Sequence, residues 1–414
     1  MFSKKQLILF SFVLAIFFHF IFYFGGYGPS FANNQSKYIY LPALLSSFIM
    51  VFLYLSTYWR RDLDGASSSI LYDILVIWIF ICFIRSVIQM SSLNELVPFL
   101  FYNYLGISLF PVLFFIAGIN YRYYRPINRI LSGYIIAGTF VSLLFVNYFE
   151  LQVFILMPIF YIILTIPLRN SAGKIFVLAV TIMIIALSFT NRAGILRIII
   201  SASILLAFYL MQSVRISRSL IKGLVFAILL IPVVSMYFGL KGDSIFQVIL
   251  GEDTQPYSQM NPYADTRTFL YYEVFQDLKI NKALLLGKGL NATYASEAFQ
   301  TFGRPMVEVG FLQILLKSGI VGVILYLAVI IRAIYLSLGK STSVHLKSLG
   351  LLLSGYVIML FIENVIAYNL LNVLVWIIVG MCYSPKLRAL SDAEFKAMFG
   401  GPESIRLTNR YNKV

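Results

Sequence analysis

A few charged side chains stand at or within stretches of sequence that are otherwise apolar. Arg192 and Arg197 lie close together in one such stretch, and Glu308 begins another. Guanidinium groups bind phosphate oxygens in pairs and stabilise negative charge on a leaving group. A carboxylate that is partly removed from water is suited to act as a general base toward a hydroxyl. These residue types predict transfer of a group from a phosphate-bearing donor to an acceptor hydroxyl.

Each of these residues also has a structural explanation that needs no substrate. An arginine near the end of a membrane span can extend its charged group to the lipid headgroups. A glutamate at the start of a helix is stabilised by the positive end of the helix dipole. Residue type alone leaves both interpretations open.

Other common site chemistries have little support in the sequence. His19 and His345 are isolated, and Cys82 and Cys382 fall at different depths of the predicted spans. The Gly287-Lys288-Gly289 segment lacks the spacing of a phosphate-binding loop and is predicted to form a turn. We therefore expect no metal ion and no organic cofactor.

The composition restricts the class of protein that positions these residues. Of the 414 residues, 60% are hydrophobic and only 12% are charged. An average soluble domain is about half apolar and one-quarter charged. This chain has too little polar sequence to cover soluble domains of its length, and it is too apolar to be disordered. It is predicted to be a polytopic membrane protein.

A helix needs about 20 mostly apolar residues to cross the hydrocarbon core. On that criterion the fold class is all-α, with about twelve transmembrane helices and one long helical loop outside the cytoplasm. The spans are predicted at residues 6–24, 38–58, 70–88, 97–119, 130–149, 151–168, 174–190, 194–213, 222–240, 313–337, 348–368 and 370–384.

The basic residues are distributed unevenly across this arrangement. With the N-terminus inside, 21 of the 32 Lys and Arg residues fall in inner loops, at inner helix ends or in the C-terminal tail. Cytoplasmic loops of membrane proteins carry such an excess. We expect both termini in the cytoplasm, and most of the net charge of +15 is explained by orientation rather than by binding to nucleic acid.

The chain is predicted to have four parts, of which the second is a large extracytoplasmic loop. The parts are nine transmembrane helices at 1–240, the loop at 241–305, three further helices at 306–384 and a cytoplasmic tail at 385–414. Within the loop, Leu270, Val274 and Leu278 have helical spacing, which predicts an amphipathic helix over 264–281 lying on the membrane or on the bundle.

The cations that orientation leaves unexplained lie mostly on the outer side. Arg85 and Arg304 are among them, and the outer acids include Glu363 near the end of a span. Charges at such depth are functional candidates by default. There is no ATP on the outer side, so the energy for synthesis there must arrive in the substrate. Sugars linked to lipid through a pyrophosphate supply it.

Four short motifs resemble the O-antigen polymerase (Wzy) and O-antigen ligase superfamily. Residues 191–194 are similar to its "SRG" motif, and 266–271 to the Arg-x3-Trp segment of its external loop. Residues 286–290 match the "fGvGl" segment that follows, and 308–322 resemble "HNxYLxLLxxxGxxG" in register. The motifs occur in the family's order within about 185–330, and elsewhere only topology agrees.

The resemblance implies a membrane-embedded, C-type glycosyltransferase that uses undecaprenyl pyrophosphate-linked oligosaccharide. Carried over by position, Arg192 and Arg267 hold the pyrophosphate and Glu308 activates the acceptor hydroxyl, while Tyr271, at the motif's Trp position, is a substrate-binding candidate. From topology alone, and not from the resemblance, Glu363 and the outward arginines Arg85, Arg197 and Arg304 are supporting substrate-binding candidates. The implied setting is the bacterial inner membrane, with membrane lipids as partners and a chain-length regulator as a candidate partner.

The superfamily's ligases have histidine where this chain has Glu308, which favours a polymerase over a ligase. An O-antigen ligase, which transfers finished glycan to a lipid core or protein, stays as one alternative. A lipid-linked oligosaccharide flippase or another secondary carrier is the second. Carriers usually have two related halves with broken helices at matching positions. The single long loop after the ninth predicted span has no counterpart in the first half.

Overall fold

The computed structural model describes residues 3–27, 37–60, 70–90, 92, 95–96, 99–100, 107–145, 147–148, 151, 155–187, 192–213, 223, 230, 266–296, 301–363 and 366–399. Over these residues the chain is mostly helical, which agrees with the predicted all-α class. The predicted span at 222–240 falls almost wholly outside them, and so does the first part of the external loop.

The first half of the described chain consists of helices that follow the apolar runs of the sequence. They are α1 (Lys4–Tyr27), α2 (Leu41–Arg60), α3 (Ile70–Ile88), α4 (Phe115–Ile119), α5 (Tyr124–Leu144), α6 (Ile159–Leu164), α7 (Ser171–Leu187) and α8 (Arg192–Ser213). Short 3-10 helices occur at Lys37–Tyr40, Phe110–Phe114, Tyr121–Tyr123 and Ile166–Leu168.

The second half of the described chain contains six helices and a small sheet. The helices are α9 (Thr266–Ile280), α10 (Gly310–Lys340), α11 (Val344–Ile362), α12 (Leu370–Tyr383), α13 (Pro385–Ala389) and α14 (Asp392–Phe399). An antiparallel hairpin joins β1 (Tyr294–Ser296) to β2 (Thr301–Arg304). The external loop was predicted to be helical, and this hairpin is a difference from that prediction.

Five of the described helices are long and apolar enough to cross a membrane, which indicates a membrane protein. They overlap the predicted spans near 6–24, 70–88, 130–149, 313–337 and 348–368, although the helices end before residues 149 and 368. Two other predicted spans are interrupted rather than continuous. Pro111 lies within a 3-10 segment of the span at 97–119, and Pro158 and Pro167 flank α6 in the span at 151–168. Proline removes a backbone donor and breaks a helix, so the count of twelve stays a prediction.

The centre of the bundle is formed by α10, α11 and α12, with α3 packed against α10 and α4 against α12. The α4–α12 contact is very close, because Gly118 of α4 faces the backbone of Ile377 and Gly380 of α12 faces the backbone of Phe115. Small residues allow helix backbones to approach in this way within membranes. Trp376 of α12 is fully buried beside this contact.

Helix α10 is divided in two at Gly319, whose φ of 68° and ψ of −173° are not helical. The helix is 31 residues long, more than the roughly 20 that a bilayer requires. The part after the break, 320–340, is by itself long enough to span. The part before the break begins two residues after Glu308, the residue on which the predicted site depends.

Candidate functional site

Helix α9 forms where the amphipathic pattern predicted it, and it packs against α10 rather than lying free on a surface. Leu270, Val274 and Leu278 are all fully buried. The Tyr271 hydroxyl donates a hydrogen bond to the Phe361 carbonyl at 3.0 Å. The Tyr271 ring stacks at 6.5 Å from Phe311, near the start of α10. Tyr271 is therefore buried and anchors α9 to α10 and α11; its proposed contact with substrate stays a prediction.

The start of α10 and the end of α11 are joined directly. The Gly310 amide donates to the Glu363 carbonyl at 2.9 Å, and Glu363 is largely buried. Glu308, two residues before Gly310, lies between Val307 and Val309, which are both fully buried. In an extended segment neighbouring side chains point to opposite sides. The Glu308 side chain accordingly faces outward and is 42% exposed.

Helix α8 runs antiparallel to α11, and this places its first residue near the same point. The rings of Phe208 and His345 are 4.7 Å apart, and Ile200 packs against Gly355. Arg192 lies eight residues before Ile200, and Glu363 lies eight residues after Gly355. Because both helices rise about 1.5 Å per residue, the backbone of Arg192 is level with Glu363. Arg192 is the first residue of α8.

The helix ends that carry the predicted catalytic residues therefore meet at one end of the bundle. Arg267 precedes Tyr271 by four residues, about 6 Å along α9, and Glu308 precedes Phe311 by three. The side chains of Arg192, Arg197 and Arg267 lie outside the described part of the structure, so their proposed contacts with a pyrophosphate stay predictions. Their backbones place two cation-bearing helix starts, those of α8 and α9, at the same end of the bundle as Glu308.

The hairpin connects α9 to Glu308 through a series of polar contacts. Arg304, at the end of β2, donates from Nη2 to Glu308 Oε1 at 2.8 Å. Its strand partner in β1 is Tyr294. Burial raises the pKa of Tyr294 to about 12, and the positive charge of nearby Arg304 opposes this rise. Two residues after Tyr294 in β1, Ser296 Oγ donates to Glu273 Oε2 of α9 at 2.7 Å. Sequence reasoning missed the hairpin, although Tyr294 and Ser296 do have the alternate spacing of a strand.

A loop at residues 284–290, called here the docked loop, fills the break in α10. The amides of Lys288 and Gly289 donate to the carbonyls of Leu316 and Lys317 at 2.8 and 3.1 Å. The amides of Ile320 and Val321 donate to the carbonyls of Leu284 and Leu285 at 3.0 and 3.3 Å. The loop thus satisfies the backbone groups that a broken helix leaves without intrahelical partners. Two of the four motifs in the sequence, at 286–290 and 308–322, are in direct contact here.

Helix α3 holds both sides of this break. Arg85 Nη2 donates to the carbonyls of Leu286 and Gly287 at 2.7 and 2.9 Å. Trp78 Nε1 donates to the Ser318 carbonyl at 3.1 Å, and Ser86 Oγ accepts from the Leu290 amide at 2.6 Å. Arg85 therefore has a structural role that the sequence did not indicate, and its binding to substrate stays a prediction.

Lys288 is engaged within the protein rather than presented to a ligand. Its Nζ lies 2.9 Å from Asp277 Oδ2 of α9 and donates to the Thr293 carbonyl at 2.7 Å. The Gly287-Lys288-Gly289 segment was predicted to be a turn, and the chain bends there at Lys288. Both glycines have positive φ values, 70° and 98°, a conformation that glycine adopts without steric cost.

Within the described part of the chain, no group of three or more His, Cys, Asp or Glu side chains could hold a metal ion. The arrangement at this end of the bundle instead offers one outward carboxylate, its arginine partner and two nearby helix starts that carry arginine. Such a set can hold an anionic leaving group and accept a proton from a hydroxyl.

Comparison with known proteins does not assign the chain to a family. No family model, no curated protein and no solved structure matches it.

Proposed function

We propose that this chain is a membrane-embedded glycosyltransferase that polymerises lipid-linked oligosaccharides into O-antigen, capsule or exopolysaccharide. It transfers the growing glycan from undecaprenyl pyrophosphate to the next lipid-linked repeat unit, on the outer side of a bacterial inner (plasma) membrane. The energy comes from the pyrophosphate linkage of the donor, so the reaction requires no further cofactor.

In the proposed step, Glu308 takes the proton of an acceptor hydroxyl while the hydroxyl oxygen attacks the donor's anomeric carbon. The bond from that carbon to the pyrophosphate oxygen breaks, and the bonding electrons leave with the lipid pyrophosphate. Arg192 and Arg267 hold the departing group, whose negative charge grows as the bond breaks. Glu308 afterwards releases its proton to water. Each cycle extends the glycan by one repeat.

The observation that carries the proposal is the meeting of three helix starts with the end of α11. Residues that are far apart in the chain, Arg192, Arg267 and Glu308, are thereby brought to one end of the bundle. The sequence resemblance ranks the same three residues as catalytic candidates. The two lines of reasoning are independent, because one uses helix packing and the other uses local motifs.

The proposed orientation follows from the same end of the bundle. The opposite ends of α10 and α11 carry Lys340 and Lys347, and basic residues mark the cytoplasmic side. The site then faces the periplasm or exterior, with both termini inside. A chain-length regulator is a candidate partner in the same membrane.

The proposal is tested by incubating the purified chain in lipid vesicles with a synthetic undecaprenyl pyrophosphate-linked repeat unit. We expect a ladder of products that differ by one repeat, resolved by electrophoresis. Transfer of the single repeat onto an added lipid-core acceptor, without any ladder, identifies the ligase instead. Movement of the labelled lipid across the vesicle membrane with no new glycosidic bond identifies a carrier and refutes the glycosyltransferase proposal.

A further inference from the structure

The ion pair between Arg304 and Glu308 is too exposed to be explained as a source of folding stability. The two side chains are 24% and 42% exposed, and pairs of that kind contribute about 0–1 kcal/mol. The contact is nevertheless short, at 2.8 Å between Nη2 and Oε1. What it does change is the orientation of the Glu308 carboxylate, since it holds one of the two oxygens.

The backbone around Glu308 is held on both sides. The Val307 amide donates to Gln313 Oε1 at 2.8 Å, and the Gly310 amide donates to the Glu363 carbonyl at 2.9 Å. With the main chain fixed, the carboxylate can move only by rotation about its own side-chain bonds. Among the described residues Arg304 is the one hydrogen-bond partner of that carboxylate.

Arg304 is itself held by the hairpin. It pairs with Tyr294 across the two strands, and the Tyr294 ring is almost fully buried. The β1 strand is fixed to α9 by the bond from Ser296 to Glu273. A rigid series of contacts therefore runs from α9, whose first turn carries Arg267, to Glu308.

We propose that Arg304 is a positioning residue for Glu308, an inference that rests on the proposed function. Arg304 holds Oε1, and Oε2 is left to accept the proton of the acceptor hydroxyl. On this assignment Arg304 does not bind the pyrophosphate, although its charge and outer position made it a substrate-binding candidate in the sequence. A positioning residue alters the chemical step and leaves substrate affinity nearly unchanged.

The test compares Arg304→Met, Arg304→Lys and the unmodified chain in the vesicle assay, with initial rates measured against the concentration of lipid-linked repeat. Methionine keeps most of the apolar stem and removes the charge. We expect Arg304→Met to lower kcat by about 10- to 100-fold, the scale on which misplacement of a catalytic group acts, with KM changed less than about twofold. Arg304→Lys should recover part of kcat, because lysine supplies the charge and a donor without the planar fork.

The matched control is Lys279→Met, which removes an exposed cation from the same external region and should behave as the unmodified chain. An Arg304→Met variant with unchanged kcat overturns the inference, and so does a raised KM with unchanged kcat, which would mark a binding residue. If Arg304→Met does not accumulate in the membrane, the kcat and KM of Arg304→Lys decide by the same criteria. Absence of product from the unmodified chain overturns the proposed function and this inference with it.

Discussion

The break in α10 leads to a specific prediction about Gly319. Its φ of 68° and ψ of −173° belong to a region that essentially only glycine occupies. A Cβ atom at this position would also collide with the Leu285 carbonyl of the docked loop. We therefore expect Gly319→Ala to strain the backbone and to push the docked loop out of the break.

The size of the effect follows from two contributions. The backbone strain costs about 1–3 kcal/mol. Four backbone hydrogen bonds join the docked loop to α10, and loss of two of them adds about 1–3 kcal/mol at about 0.5–1.5 kcal/mol each. The variant should be less stable by about 2–6 kcal/mol, which corresponds to a decrease in Tm of roughly 2–7 °C for a chain of this size.

The matched control lies in the same helix. Gly339 is exposed, and a Cβ there would make only an ordinary contact, 3.8 Å from the Tyr335 ring. Because alanine favours a helix over glycine by about 1 kcal/mol, Gly339→Ala should leave Tm unchanged or raise it slightly.

Two measurements on the purified chain in detergent distinguish the variants. Thermal unfolding gives Tm, and limited trypsin digestion reports on the docked loop, since cleavage after Lys288 requires that its amide leave the Leu316 carbonyl. Gly319→Ala should be cut there faster than the unmodified chain. Equal Tm values and equal cleavage rates for the two alanine variants would show that the loop does not depend on the break, and our account of it would be wrong.

Three further predictions concern the site and the inner face. Arg267→Ala should abolish long polymer in cells while the protein stays in the membrane, whereas Lys279→Ala on the same helix should leave chain-length ladders normal; a normal ladder for both argues against the assignment. Glu308→Gln should lower kcat at least about 100-fold, the scale of general-base catalysis, and full activity would remove Glu308 from the mechanism. Asp392→Ala should cost about 0.5–2 kcal/mol, because Asp392 Oδ1 accepts the Val344 amide at 2.8 Å at the start of α11; an unchanged Tm contradicts that capping role.

Several features could be predicted from the sequence because their signals are local. A run of apolar residues forms a helix wherever it can be buried in lipid or in the bundle, and α1, α3, α10 and α11 follow such runs. The spacing of Leu270, Val274 and Leu278 likewise predicts α9, since the residues of one helical face repeat every three or four positions.

Interruptions were harder to predict, because hydrophobicity does not report them. The spans predicted at 97–119 and 151–168 read as continuous apolar runs, yet proline divides both. Gly319 also lies within an apolar run, and its break depends on a loop about thirty residues earlier in the chain. The hairpin at 294–304 was missed because strands of three and four residues give too short a pattern.

By itself the sequence determined the class of the protein, the helices with strong local patterns and the residue types suited to a phosphate-bearing donor. Only the tertiary structure decided which of those residues share a site and which support the fold. Arg85 is bound to two backbone carbonyls, and Lys288 is paired with Asp277. Glu308, by contrast, is turned outward beside Arg304. The physical reason is that partners of a charged side chain come from segments distant in sequence, and their proximity is set by helix packing, which no local pattern contains.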